Sequence, residues 1–294
     1  MRLQRTIKNA VSFSGVGLHT GRLATVILKP APRDTGIVFI RTDRKTIIKA
    51  NVNSVVDTAF ATTIGYNGTR IKTVEHLLSA VNGLGIDNLI VEVDGPEIPV
   101  LDGSSTELVS IILSAGIARQ GKRRPYVRIT QPIILEDGNA SIMAVPYNGR
   151  KISYTLQFKH ELFKYQSLTI ELDEERFVTD VAPARTFGFL KQVELLRANG
   201  LAKGGSMDNA IVIDDNGVLN STGLRFSDEF VRHKILDLIG DLALLGYPIY
   251  GHIIAERAGH SAHIRFLKKL ISSPHCWELY SQSNTITEGI FVYA

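Results

Sequence analysis

Cysteine is all but missing from this chain. Of 294 residues only Cys276 carries a thiol. That excludes an intrachain disulfide and a cysteine-rich zinc knuckle, so any metal has to be held by histidine and carboxylate. A lone thiol fits a reducing compartment, and a cytoplasmic protein is expected. No apolar run reaches the length of a membrane span. Residues 1–8 alternate charged and apolar side chains and lack the apolar core of a signal peptide. Charge of one sign is not in large excess either. Lys and Arg number 33 against 29 Asp and Glu, leaving +4, and the basic residues are dispersed except for Lys122-Arg123-Arg124. That triplet reads as a solvated linker, and the dispersed charge argues against a nucleic-acid binder. The mild positive bias suits a phosphorylated or nucleotide-linked substrate. What is present, 44% apolar and 21% charged residues, describes a globular chain of one large or two ordinary domains.

The first part reads as strands and turns. Segments 22–30 and 37–41 are strand-like, and 62–66 and 69–73 flank Asn67-Gly68, a strong hairpin signal. Thr73 is the expected N-cap of a helix carrying Glu75 and His76. A strand at 88–93 and a helix at 106–113 follow. Gln120 to Pro125 is polar, basic and ends in proline, which places a domain boundary between 1–120 and 126–294. The second part has strand-like stretches at 126–130, 133–135, 141–145 and 152–157, then an irregular region with a short helix at 189–198 and a strand at 211–214. A long helix spans 228–245, a strand 249–256 and a helix 261–271. Val74-Glu75-His76 and Val231-Arg232-His233 each lead through a helix to a strand and a glycine turn. The halves therefore read as a diverged duplication, packed face to face with a histidine-bearing helix from each at the seam.

The chemistry-bearing residues lie on those helices. On the long one, Phe230, Ile235, Leu238, Ile239, Leu242 and Leu245 mark a buried stripe, while His233, Asp237 and Asp241 follow a separate i, i+4, i+8 line. His233 and Asp237 are a workable zinc pair. A solvated face with weak i,i+4 pairs fits the same spacing. Glu75-His76 is open in the same way. Glu in a first turn is favoured by the helix dipole, yet His76 can ligate while Glu75 reaches a water beside a metal. Two histidines and one aspartate leave a fourth position for water, as catalytic zinc sites do. His260, flanked by Gly259, is placed to project into a cleft. Asp241 can hold it protonated, to stabilise an oxyanion or protonate a leaving amine.

Seven blocks in order carry a resemblance over essentially the full length: Gly15 to Gly21, Thr73 to Ala80, Pro99 to Ser105, Ala184 to Phe189, Gly204 to Ala210, Arg232 to Asp241, and Gly259-His260. With them the chain resembles the UDP-3-O-acyl-N-acetylglucosamine deacetylase family, zinc amidases of the committed step of lipid A biosynthesis. The resemblance implies an α+β fold of two similar α/β two-layer sandwich domains, each with a small insert. It implies zinc on His76, His233 and Asp237, with Fe2+ acceptable to the same donors, and Glu75 as general base. Thr186 would stabilise the oxyanion, His260 supported by Asp241 would serve the leaving amine, and Lys234 would face the same site. The substrate would be a UDP-linked N-acetylglucosamine bearing a 3-hydroxyacyl chain. An insert at about 190–214 would form an apolar passage for that chain, lined by Leu190, Val193, Leu195, Ala202, Gly205, Ser206 and Val212. Phe187 and Phe189 of the Ala184 to Phe189 block join the substrate-contacting set, and Phe158 and His160 match the region that meets the nucleotide. His19 and Asp102 belong to strong blocks without an assigned chemistry. A monomer, touching the inner membrane surface only transiently, is expected. A non-catalytic nucleotide-sugar or lipid-binding module on the same scaffold is opposed by the intact set Glu75, His76, His233, Asp237 and His260.

Overall fold

The computed structural model of the protein describes residues 2–160 and 163–281. Its architecture is mixed α+β. Six α-helices lie among the described residues: α1 (Glu75–Gly83), α2 (Thr106–Ser114), the single turn α3 (Glu174–Arg176), α4 (Leu190–Ala198), α5 (Glu229–Leu242) and α6 (His260–Ile271).

The first half is built on a five-stranded sheet in the order Val11–Val16, Leu23–Pro30, Leu89–Val93, Ile37–Arg41, Thr46–Lys49. All its pairs are antiparallel except Ile37–Arg41 with Leu89–Val93. Alternation sets its inner face: Ala24, Val26 and Leu28 are buried while their neighbours point out. The expected hairpin is present as Thr63–Tyr66 and Thr69–Ile71. Asn67 and Gly68 both have positive φ, 47° and 78°, as a tight two-residue turn between right-twisted strands requires.

The second half is built on a seven-stranded sheet. Its centre is Ile249–Glu256, which pairs with Ala140–Val145 antiparallel and with Arg150–Gln157 and Tyr126–Ile129 in parallel. Ile133–Asp137, Tyr165–Glu171 and Trp277–Tyr280 extend it. Tyr165–Glu171 falls where the sequence reads as irregular. Beside the sheet, α4 joins a small sheet of Phe187–Phe189, Ile211–Asp214 and Gly217–Val218.

Two local expectations are corrected. The stretch read as a basic linker is a strand, Ile117–Arg123, paired with Leu3–Ile7. Lys122 and Arg123 stay exposed, but Arg124 turns inward to an ion pair with Asp87. Thr73 does not cap α1. Val74 occupies the cap position without a side-chain bond, while Thr73 adopts a left-handed φ of 58° and its hydroxyl donates to Glu97 Oε1 at 2.8 Å.

The helix α1 packs against α5. Every residue of α1 is buried. On α5 the apolar stripe is buried as its spacing requires, and His233, Asp237 and Asp241 are buried too, at 2%, 2% and 0% exposure. A solvated polar face on α5 is thereby ruled out. The helices meet closely because Gly240 has no side chain: a Cβ there would stand 2.1 Å from the Glu75 carbonyl oxygen. Gly240→Ala drives a methyl group into that backbone carbonyl and is expected to destabilise the fold by about 1–3 kcal/mol. Chemical denaturation checks this, with an unchanged midpoint contradicting the close approach.

Candidate metal centre

His76 comes from the first turn of α1, and His233 and Asp237 from one face of α5. His233 Nε2 lies 3.4 Å and His76 Nε2 3.7 Å from Asp237 Oδ1. The three donor atoms all lie within 4.8 Å of one another. These separations exceed good hydrogen bonds. They match donors around one centre, since ligands about 2.0–2.1 Å from a tetrahedral ion lie roughly 3.3 Å apart. The donors are also in the right protonation states. Burial above all pushes His76 down to about 3. Burial likewise lowers His233, against the pull of Asp237. The His233 Nδ1–H donates to the Ala184 carbonyl at 3.0 Å, which leaves Nε2 with its lone pair toward the cluster. Burial alone would raise the Asp237 carboxyl, but the Lys234 ammonium and the surrounding imidazoles outweigh it and hold the group well below the usual range. Lys234 Nζ donates to Oδ2 at 2.7 Å, so Oδ1 is the oxygen left facing the histidines. Two neutral imidazoles and a carboxylate are a donor set that zinc or ferrous iron accepts.

Glu75 stands beside this cluster. Its Oε2 accepts the Thr62 N–H at 3.0 Å, and its Oε1 lies 3.9 Å from His260 Nε2. Burial pushes the carboxyl up to about 8, aided by Asp241 and Asp237 and opposed by His260. A carboxyl poised near neutrality can take and return a proton.

Asp241 organises the opposite wall. Its Oδ2 accepts from His260 Nδ1 and His263 Nδ1, both at 2.7 Å, and its Oδ1 accepts from the Thr62 hydroxyl at 2.5 Å. A carboxylate only accepts, so both Nδ1 atoms carry protons. These 2.7 Å contacts are hydrogen bonds, too short for separate ligands spread around an ion, so Asp241, His260 and His263 do not form a second centre. Burial alone would lower His260. Asp241 and then Asp237 overcome it and raise the imidazole to about 9. The charge matters because His260 opens α6, where the dipole disfavours a cation. Asp241→Asn removes that compensation, and burial then prevails. The expected result is an activity about tenfold lower with its alkaline limb moved toward neutrality, because a less stabilised imidazolium is lost at lower pH. A pH profile of kcat/KM reads this, and an unmoved limb would mean that Asp241 only supports packing.

An apolar cavity of about 230 Å³ adjoins the cluster. Thr186 and Phe187 line it, and Phe187 links it to the cluster, with its ring centroid 6.2 Å from that of His233. Leu190, Val193, Ala202, Gly205, Ser206 and Val212 line it. Leu195 does not. It is 64% exposed, and Leu196 faces the cavity instead. Helical spacing from Leu190 and Val193 leads to Leu196 and Arg197, so the period was there to be used. Phe158, His160 and Phe189 are not on the cavity wall. Phe189 packs its ring on those of Phe158 and His160, at 5.4 and 5.7 Å, and His160 Nε2 is bonded to the Asp214 carbonyl at 2.8 Å.

The two unassigned blocks find structural places. Asp102 accepts from Arg225 Nη2 at 2.8 Å and from Ser104, and the turn it holds puts the Gly103 carbonyl 2.8 Å from the Thr186 N–H. The His19 and Thr20 N–H groups donate to buried Glu97, at 2.9 and 2.7 Å, and His19 lines the cavity. Thr62, Glu97 and His263 were not singled out from the sequence. Only the i, i+3 spacing of His260 and His263 hinted at one of them.

Comparison with known proteins bears on this arrangement. A family model described as UDP-3-O-acyl N-acetylglycosamine deacetylase matches residues 4–272. A UDP-3-O-acyl-N-acetylglucosamine deacetylase of Thermodesulfovibrio yellowstonii is 54% identical over 279 residues, covering 95% of each chain. Similarly named proteins of a Geobacter species and of Myxococcus xanthus are 46% and 45% identical. These alignments cover 95% and 98% of this chain and 92% of each relative.

Proposed function

Since the chain belongs to the UDP-3-O-acyl N-acetylglycosamine deacetylase family, we propose that it hydrolyses the acetamide of a UDP-3-O-acyl-N-acetylglucosamine, releasing acetate and the free amine, in lipid A biosynthesis. The observation that carries the chemistry is the meeting of neutral His76 and His233 with ionised Asp237 beside the buried Glu75 carboxyl.

His76, His233 and Asp237 would hold a zinc ion, with Fe2+ as the alternative the same donors accept. Bound there, the metal supplies Lewis acidity to a carbonyl oxygen and to water. Glu75 takes a proton from the attacking water at Oε1, because Oε2 already accepts the Thr62 N–H. The Thr186 hydroxyl donates to the oxygen that gains charge as the carbonyl carbon becomes tetrahedral. His260, kept cationic by Asp241, faces Glu75 from Nε2 and protonates the amine nitrogen as the C–N bond breaks. Lys234 keeps Asp237 ionised and oriented.

The cavity behind Thr186 and Phe187 receives the 3-hydroxyacyl chain, and the aromatic group of Phe158, His160 and Phe189 serves the nucleotide side. The two sheet-and-helix halves, 1–120 and 126–294 with the insert at about 190–214, are read as face-to-face copies of one α/β sandwich. The site lies at their seam, so neither half is active alone. The working protein is a cytoplasmic monomer that meets the membrane surface only to reach its acylated substrate. No helix among the described residues is long and apolar enough to cross a membrane. Turnover of the acylated nucleotide sugar tests the reading. Equimolar acetate and amine support it, and tight binding without release of either overturns it.

A further inference from the structure

A crevice of about 220 Å³ opens at the seam near the C-terminal end of α1, which carries His76 at its other end. Three guanidinium groups line it, those of Arg2, Arg124 and Arg150, and a fourth, Arg5, reaches its Glu174 wall from outside. Arg2 donates to Asp87 Oδ2 at 2.9 Å and to the Gly85 carbonyl, Arg124 pairs with the same Asp87, and Arg5 pairs with Glu174 at 2.6 Å. Asp173, the remaining carboxylate on the wall, uses Oδ1 to cap the Arg176 N–H at 2.8 Å. Arg150 is left over. Among the described residues its guanidinium makes no ion pair, and its side-chain hydrogen bond is from Nη2 to the neutral Asn82 Oδ1 at 2.9 Å.

The other cations are accounted for by a carboxylate or by α1's terminal carbonyls, where a helix dipole welcomes positive charge. Arg150 bonds to neither, Glu174 and Tyr250 of the same wall offsetting its burial only in part from a distance, and a guanidinium cannot shed its charge. Burial and the nearby Arg2 press its pKa down to about 10, and the same causes act on Arg124. The phenol rings of Tyr126 and Tyr250, with centroids 4.1 Å apart, form part of the wall. A half-buried cation beside a second one, facing a polar crevice, is the arrangement that a phosphate completes, because its oxygens accept from planar guanidinium forks. The crevice is smaller than drug-sized ligand sites, which begin at about 300 Å³.

We propose that this crevice is a second ligand site, separate from the metal centre, that binds a small phosphate-bearing anion between Arg150 and Arg124. Asn82 links it to the seam, since its Nδ2 donates to the Ile239 carbonyl of α5 at 3.1 Å while its Oδ1 holds Arg150.

Inorganic phosphate and pyrophosphate are titrated into the whole protein by calorimetry, with chloride at equal ionic strength as control. Hydrogen exchange locates any binding. The expected result is saturable binding that protects the backbone around Asn82 and Arg150 and weakens at least tenfold in Arg150→Gln. Thermal melting confirms that this variant is folded, and its deacetylase turnover stays within twofold of the parent. A second variant, Arg150→Lys, restores part of the affinity. A nucleoside diphosphate and vesicles of anionic phospholipid, used as further arms, separate a soluble phosphate compound from a lipid headgroup as the source. The proposal is overturned if only the metal-site segments are protected, if folded Arg150→Gln binds as the parent does, or if neither phosphate binds above the chloride control.

Discussion

Replacing Glu75 by glutamine is expected to lower kcat by about 10²–10⁴-fold while leaving fold and metal content intact. The substitution preserves shape, and the amide oxygen can still accept the Thr62 N–H that now binds Oε2 at 3.0 Å. Glu75 is not among the three converging donors, so its loss does not empty the site. What disappears is a carboxyl that burial has raised to about 8, near the neutral range in which a group that must both take and return a proton is most effective. Turnover of the acyl nucleotide sugar, with metal analysis of the same preparation, separates these effects. A folded, metal-replete Glu75→Gln enzyme with undiminished kcat would remove Glu75 from the mechanism.

The second large effect is expected at His233. His233→Ala takes away one of three donors and opens a void beside Asp237, whose Oδ1 lies 3.4 Å from the lost nitrogen. The metal content of purified protein should fall from one ion per chain to a small fraction, and turnover by roughly 10³-fold or more. A chelator should do the same to the parent protein, reversibly on adding back zinc or ferrous iron. His76→Ala combined with His233→Ala leaves Asp237 alone. Stoichiometric metal in that double variant would place the ion elsewhere.

How far the sequence reached differs from element to element. Periodicity located α5 and Ile249–Glu256 closely, because a helix with a long apolar stripe and a buried strand depend on nearby residues. Thr73 was misread because Ser and Thr before a helix usually cap it, whereas here the hydroxyl has a distant partner, buried Glu97. Arg124 looked like part of a solvated run until Asp87, far off in the chain, was brought beside it. Leu195 and Leu196 are equally apolar. The helical step from Leu190 and Val193 carries Leu196 to the cavity and leaves Leu195 outward, so composition could not separate the two but periodicity could.

The sequence by itself determined the ligand chemistry, since one cysteine leaves histidine and carboxylate as donors, and it determined the i, i+4 step that aligns His233 with Asp237. Its seven blocks were sufficient to point to the family. It could not distinguish a ligand line from a solvated helix face, because spacing is identical in both. Tertiary packing excluded the solvated face, since it buries His233, Asp237 and Asp241 and seats α1 against α5 through Gly240. The same packing brings His76 to Asp237 and makes Asp241 the shared acceptor of Thr62, His260 and His263. Protonation states follow from burial and from charges distant in sequence, so they exist only in the folded molecule.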